Sequence, residues 1–361
     1  MKIGIIGIAA SGKTTLFNAL TGGEAKTGGF GGGTQVHLGI AQVADPRVNA
    51  LSEIFRPKKT TYATVEFADV PGLGESRDGP SPSLESEAIP SALQGADALL
   101  LVLRSFEDSG VPHPRESVDP ARDLSNIQLD LIIRDLSVVE RRLGRLGKLV
   151  AKKKDPQQVA EIELLQRVQT ALEEECPLLA QGLSDEEMGR LRGFGFLSGK
   201  PILAVLNVSE DRIGESAESF GLVAPDGEAV HIVVSARIEE ELAQLEEAER
   251  KAFLVGYGLE RPLRDRVIHA SFELLGLQCF LTVGEDEVRA WPIPRGAPAL
   301  QAAGTIHSDL ERGFIRAEVV SYEDFIELGS MAAAREHGVL RIEGRDYAVR
   351  DGEIMHIRFN V

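Results

Sequence analysis

The chain is short of the groups that would staple, anchor or coat it. Of its 361 residues only two are cysteine, Cys176 and Cys279. Two thiols cannot build a disulfide framework, and they stand in no metal-ligand pattern, so a reducing compartment is expected. Positive charge is scarce: 39 Lys and Arg face 56 Asp and Glu, for a formal net charge of −17. That excludes a protein that covers nucleic acid with its whole surface, while leaving room for a local basic patch. No apolar run approaches the roughly 20 residues that cross a bilayer, so no membrane partner is expected. The opening Met1-Lys2-Ile3-Gly4-Ile5-Ile6-Gly7 reads as a strand and not as a signal peptide, and the cytoplasm is the expected location. Internal repeats are lacking, and the histidines and carboxylates show no zinc-type spacing.

What is present is the composition of an ordinary globular protein, 43% hydrophobic and 26% charged, with a length that suggests two or three domains. Apolar runs of strand length lie at 3–6, 64–68, 98–103, 202–206 and 231–234. They do not alternate with polar residues, as expected of parallel strands buried on both faces. Helix-forming segments lie between some of them, which predicts a doubly wound α/β domain over 1–122 and 200–276. The intervening 123–199 has another rhythm. Leu129, Ile132, Leu136, Val139, Leu143, Leu146 and Val150 step by three and four, as does the series Ile162, Leu165, Gln169, Leu172, Cys176, Leu179. With a break at Lys152-Lys153-Lys154-Asp155-Pro156, this predicts an antiparallel coiled-coil hairpin inserted between strands. From 277 to 361 short alternating segments, one set off by Asp351-Gly352, predict a small mixed β domain.

Chemistry concentrates at Gly7-Ile8-Ala9-Ala10-Ser11-Gly12-Lys13-Thr14. A glycine, four residues and Gly-Lys-Thr, between a strand and a helix, match the P-loop pattern in full. Such a loop turns backbone N–H groups toward phosphate oxygens, and the helix that follows points its positive end at them. The expected cradle is Ala10, Ser11, Gly12, Lys13, Thr14 and Thr15. Lys13 supplies a point charge to the β and γ phosphates, and the Thr14 hydroxyl is a ligand for Mg²⁺. Downstream, Asp69-Val70-Pro71-Gly72 ends a strand. Asp69 there can hold Mg²⁺ through water, and the Gly72 N–H can meet the γ phosphate. Leu73 stands where GTPases of the Ras type place a water-orienting Gln, so another group must orient water or turnover is slow. Asn207-Val208-Ser209-Glu210 stands where guanine-specific enzymes carry Asn-Lys-x-Asp. Glu210 is a methylene longer than Asp, which opens the site to adenine. Ser235 and Ala236 end the next strand and suit the last base-contact loop.

These elements, in this order, resemble the Obg-like ATPase family, called YchF in bacteria, over essentially the whole chain. Further matching strings are Thr14-Thr15-Leu16-Phe17-Asn18-Ala19-Leu20-Thr21, Ala44-Asp45-Pro46-Arg47, Gly313-Phe314-Ile315-Arg316-Ala317-Glu318 and the terminal Arg358-Phe359-Asn360-Val361. The resemblance implies a P-loop NTPase fold, a TGS domain at 277–361, and an ATPase or GTPase that binds ribosomes, with ATP often preferred. It implies a catalytic role for His113 and a second Mg²⁺ ligand at Thr34. Ala10 departs from the family's usual Asn, and the segment from Thr34 to Gly39 is one residue short of its pattern.

The function expected is a Mg²⁺-dependent hydrolase of ATP or GTP with slow intrinsic turnover. Its partners are the ribosome, at the large subunit, or RNA. They are met through the TGS domain and the stretch from Arg141 to Lys154, which holds seven Lys or Arg and no acid. A monomer is expected. The alternatives are a catalytically weak nucleotide-binding scaffold, a GTP-specific enzyme of the Obg group, and a P-loop kinase.

Overall fold

The structure, a computed structural model, describes residues 1–23, 25, 36–70, 91–111, 113–115, 117–151, 155–222, 231–259 and 261–360. Thr34, Gly72, Leu73, the glycine-rich 28–33 and Lys152 to Lys154 lie outside these residues. In chain order the elements that matter below are β1 (Lys2–Ile6), α1 (Lys13–Thr21), β2 (His37–Gln42), α2 (Pro46–Phe55), β3 (Lys59–Thr61), β4 (Thr64–Asp69), α3 (Ser91–Gln94), β5 (Ala98–Ser105), α4 (Pro120–Val150), α5 (Pro156–Glu173) and α6 (Asp185–Leu191). They continue with β6 (Ile202–Val208), β7 (His231–Val234), α7 (Ala236–Gln244), α8 (Glu247–Gly256), α9 (Leu263–Leu274), β8 (Leu277–Thr282), β9 (Glu287–Pro294), α10 (Ala299–Ile306), α11 (Ser308–Arg312), β10 (Phe314–Val320), α12 (Tyr322–Leu328), α13 (Met331–Glu336), β11 (Arg341–Glu343) and β12 (Ile354–Phe359).

The chain divides into two compact units, one of residues 1–40 and 66–271, the other of 41–65 and 272–361. In the first, the sheet runs β2-β4-β1-β5-β6-β7, and β1, β4, β5, β6 and β7 pair in parallel. β5 is buried along its whole length, as its unbroken apolar run requires of a strand covered on both faces. α4 begins under an Asp119 side chain that accepts from the Arg122 N–H, with Pro120 at the first helical position. Its first half packs Ile127 and Leu131 into the apolar cluster of the sheet, with Leu101 and Leu206. Its second half carries Ile132, Val139 and Leu146 into a separate cluster with Leu164, Leu165, Val168 and Leu172 of α5. The heptad series expected on the second helix therefore needs correction. Val168, not Gln169, reaches the core; Gln169 bonds Glu173, and α5 ends at Glu173 before Cys176. At the root of the projection Asp135 is fully buried and accepts from the Leu197 and Ser198 N–H groups at 3.0 and 2.7 Å. That carboxylate ties α4 to the chain re-entering at β6.

The second unit has a mixed six-stranded sheet, ordered β11-β10-β12-β8-β9-β3. α10 lays Ala299, Ala302 and Ala303 on Phe280, Ile293 and Ala317. The expected boundary at 122 assigns 41–65 to the nucleotide-binding domain, and the structure places it here instead. β3 extends this sheet parallel to β9, and Arg47 of α2 bonds Asp351 at 2.7 Å. A three-residue strand with two exposed threonyl or lysyl positions carries no apolar pattern of its own, so only its partner reveals it. Of the short alternating segments in this region, 347–349 makes only a bridge, Ala348 to Pro298.

Candidate functional site

The loop between β1 and α1 is shaped by positions that a Cβ would ruin. At Gly12, φ is +91° and a Cβ would stand 2.2 Å from Asn207 Nδ2; at Gly7 it would stand 2.5 Å from the Val102 carbonyl. Ala10 also adopts a left-handed φ of +58°, which costs an alanine about 1–2 kcal/mol. α1 then starts with no side-chain cap and no acid in its first turn. α4 and α5, by contrast, are capped by Asp119 and Asp155. The leading N–H groups of α1 are thus left for an anion from outside. Lys13 is buried and its Nζ donates to the Ile8 carbonyl at 2.7 Å, across the loop. Ser11 is fully buried and its Oγ has no hydrogen-bond partner.

Asp69, at the end of β4, comes beside this loop because β4 pairs with β1, Asp69 opposite Ile5. Its Oδ2 accepts from Thr14 Oγ1 at 2.8 Å, and its Oδ1 is buried without a partner. Burial pushes the Asp69 carboxyl above the usual range, opposed by the Thr14 bond, Lys13 and His37. His37 Nδ1 lies 3.7 Å from Asp69 Oδ2. A hydroxyl and a carboxylate with an unsatisfied oxygen are the hard donors that Mg²⁺ takes beside substrate phosphates, so the residues present fit that ion. Among the described residues no group of three or more His, Cys, Asp or Glu forms a closed metal site.

Asn207 binds three parts of the site into one. Its Nδ2 donates to the Ser11 carbonyl and its Oδ1 accepts from the Ala236 N–H, both at 2.9 Å. The same side chain that sequence reading places at the base thus sets the P-loop and caps α7. Ser235 and Ala236 are buried here, and the contribution of Ala236 is its backbone N–H. Val208, expected beside the base, is instead buried in the apolar cluster of the sheet, because strand alternation turns it away from Asn207. Thr15 follows half-buried in the first turn of α1. Glu210 is exposed and accepts from the hydroxyl of Tyr257, the residue that follows α8. Tyr257 stacks on Phe253 at 4.8 Å. No sequence signal joins Tyr257 to Glu210, 47 residues away.

His113 is placed differently from what a group facing phosphate requires. Its side chain is 2% exposed, with Nε2 3.2 Å from Asp123 Oδ2 on α4. Its Nδ1 accepts from the Arg115 N–H at 3.1 Å, which leaves the ring proton on Nε2, toward Asp123. Burial holds its pKa below the ordinary value, partly offset by Asp123. The loop leading to it is fastened by Arg104, which is 1% exposed at the end of β5. Arg104 donates to the Phe106 and Val111 carbonyls at 3.2 and 2.7 Å and lies over the Phe106 ring. A lone cation closing an apolar strand was the available signal for it.

Two protein-family models match the chain. One described as a 50S ribosome-binding GTPase covers residues 2–136, and YchF-GTPase_C, described as a protein of unknown function, covers 277–360. The chain is 40% identical to the ribosome-binding ATPase YchF of Bacillus subtilis over 369 residues, spanning 100% of both chains. It is 34% identical to Obg-like ATPase 1 of Caenorhabditis elegans over 368 residues, spanning 100% of this chain and 92% of that one. The structure of the Schizosaccharomyces pombe YchF GTPase superposes with a TM-score of 0.82 at 26% identity, covering 99% of this chain and 97% of that one.

Proposed function

The chain belongs to the YchF family, and we propose that it is a Mg²⁺-dependent P-loop nucleoside triphosphatase that works on the ribosome. The observation that carries this reading is the Thr14–Asp69 pair beside the uncapped start of α1. Lys13 and the first N–H groups of that helix bind the β and γ phosphates and neutralise charge as the bond to the leaving oxygen breaks. Thr14 and Asp69 hold Mg²⁺, which supplies Lewis-acid stabilisation of the phosphates when bound. Thr34 and Gly72 are proposed as the further metal ligand and γ-phosphate donor. Asn207 keeps the P-loop and the base loop in register, and Glu210 faces the base edge. Its longer carboxylate favours ATP at least as well as GTP.

The partner is the ribosome, at its large subunit, or RNA. The ribosome is named for the Bacillus subtilis relative and in the description of the model over 2–136. The arginines of α4 and the 277–361 domain supply the contact, in the cytoplasm and as a monomer. No helix among the described residues is long and apolar enough to cross a membrane. One observation favours a second reading, a catalytically weak scaffold: His113 is held by Asp123 and Arg115, away from solvent. Titration calorimetry with Mg-ATP and Mg-GTP, beside phosphate release by the wild type and Lys13→Ala, tests both. Hydrolysis should fall about a hundred- to thousandfold in the variant. Equal release by the two proteins supports the scaffold, and strong GTP preference removes the role given to Glu210.

A further inference from the structure

The helical projection contains a cavity that its coiled-coil pattern does not call for. It has a volume of about 990 Å³ and lies between the second half of α4, the start of α5 and the segment 190–194. Arg141, Arg145, Gln157 and Gly193 of its lining are exposed, so it is a cleft open to solvent and within reach of a ligand. Its space is kept by small residues: Ala160 on α5 and Gly193, around whose Cβ position nothing lies within 4 Å.

The lining combines two chemistries. Four guanidinium groups, of Arg141, Arg142, Arg145 and Arg190, face one carboxylate, Glu161. Arg142 is already matched, donating to both Glu161 oxygens at 2.7 and 3.0 Å. Arg190 is engaged at its outer side by Glu186 at 2.7 Å. Arg141 bonds only the backbone carbonyl of Ser137, and Arg145 has no acidic partner among the described residues. The rest of the wall is apolar and includes Leu164, Leu191 and Phe194. Phe194 is half-buried and held rigid by stacking on Phe196, with centroids 5.3 Å apart and planes 5° apart. Guanidinium groups without an acidic partner, beside a planar ring that Arg142 overlies at 6.0 Å from its centroid, are a recognition set for an unstacked nucleotide.

We propose that this cavity binds one nucleotide unit of a single-stranded RNA, its base against Phe194 and the apolar wall and its phosphate on Arg141 and Arg145. The proposal rests on the reading of RNA as a partner and assigns that partner a defined pocket at the start of the basic run from Arg141 to Lys154. It requires a base and a single strand. A duplex offers no unstacked base, and an acidic peptide offers charge alone.

The test uses the full-length protein and a fluorescent short oligoribonucleotide, with anisotropy read at several salt concentrations. Gly193→Glu places a carboxylate among the guanidinium groups at an exposed position with open space, and Phe194→Leu removes the ring against which the base lies while keeping an apolar side chain. Each should weaken binding about tenfold, the scale of one lost stacking or phosphate contact, with phosphate release from ATP unchanged. Lys148→Glu, on α4 outside the lining, should weaken it by about twofold. Loss with Lys148→Glu but not with the cavity variants overturns the pocket and keeps RNA as a partner. No binding by the wild type overturns both. Equal affinity for an abasic oligomer or a duplex, or equal competition by polyglutamate, overturns the inserted base.

Discussion

The nucleotide end of the first unit and the helical projection that grows from it hold their charged groups in opposite ways. At the P-loop, function sits in the backbone. Gly7 and Gly12 leave no room for a Cβ, α1 starts uncapped, and Lys13 and Asn207 are buried and tied to main-chain atoms. On the projection, the proposed contact rests on long exposed side chains of regular helices whose first turns are capped by Asp119 and Asp155. Change at the first should act in steps, because a buried polar group left without its partner costs about 1–3 kcal/mol. Change at the second should act by degrees, because exposed charges are screened.

Asn207→Ala sharpens this contrast most. It strands the Ser11 carbonyl and the Ala236 N–H together, so unfolding free energy should fall by about 2 kcal/mol or more and nucleotide affinity by about tenfold or more. Denaturant melts and calorimetry on one preparation read both quantities. A loss of stability with affinity intact would mean that the P-loop keeps its shape without this tether.

His113 provides the next test, through pH. Its pKa is lowered on folding, so between the folded value and the unfolded value near 6.5 the unfolded chain binds more protons. The stability tied to neutral His113 is therefore present above about pH 6.5 and lost as pH falls below it. His231 and His356 are lowered by burial too and act with the same sign. The informative quantity is thus the difference between wild type and His113→Leu in melting temperature from pH 7.5 to 5.5. The variant should lose less on acidification; equal losses would place the titrating group elsewhere.

Ala10→Asn works in the stabilising direction. Asn tolerates the left-handed backbone at this position better than Ala, so stability should rise by up to about 1 kcal/mol, with tighter nucleotide binding. An unchanged melt would show that the loop relaxes around Ala10. Smallest of all, a double-mutant cycle on Arg142 and Glu161 should give a coupling of about 0.5 kcal/mol. A coupling several times larger would erase the contrast between buried and exposed chemistry.

The legible parts of the fold were those with a local period. The apolar run of β5 and the three-four steps of α4 could be read from spacing alone, as could the P-loop between a strand and a helix. The second helix was misread at Gln169 because a heptad counts positions, whereas the core is decided by which face meets α4. β3 was missed since three residues carry no period, and the segment holding it joins the second unit through β9 and Asp351. Val208 was misplaced for a related reason: motif spacing names neighbours in sequence, and a strand sends adjacent side chains to opposite faces.

The sequence by itself determined that a P-loop stands between a strand and a helix, which lysine and hydroxyl it offers, and that an acid ends a later strand. These follow from backbone needs and strand-helix order, which are local. Only the tertiary structure decided that Asn207 grips the loop itself, that Tyr257 meets Glu210, that His113 rests on Asp123, and that small residues keep a cavity open among the arginines of the projection. Each of those depends on groups far apart in the chain arriving at hydrogen-bonding or packing distance, and no local spacing encodes that arrival.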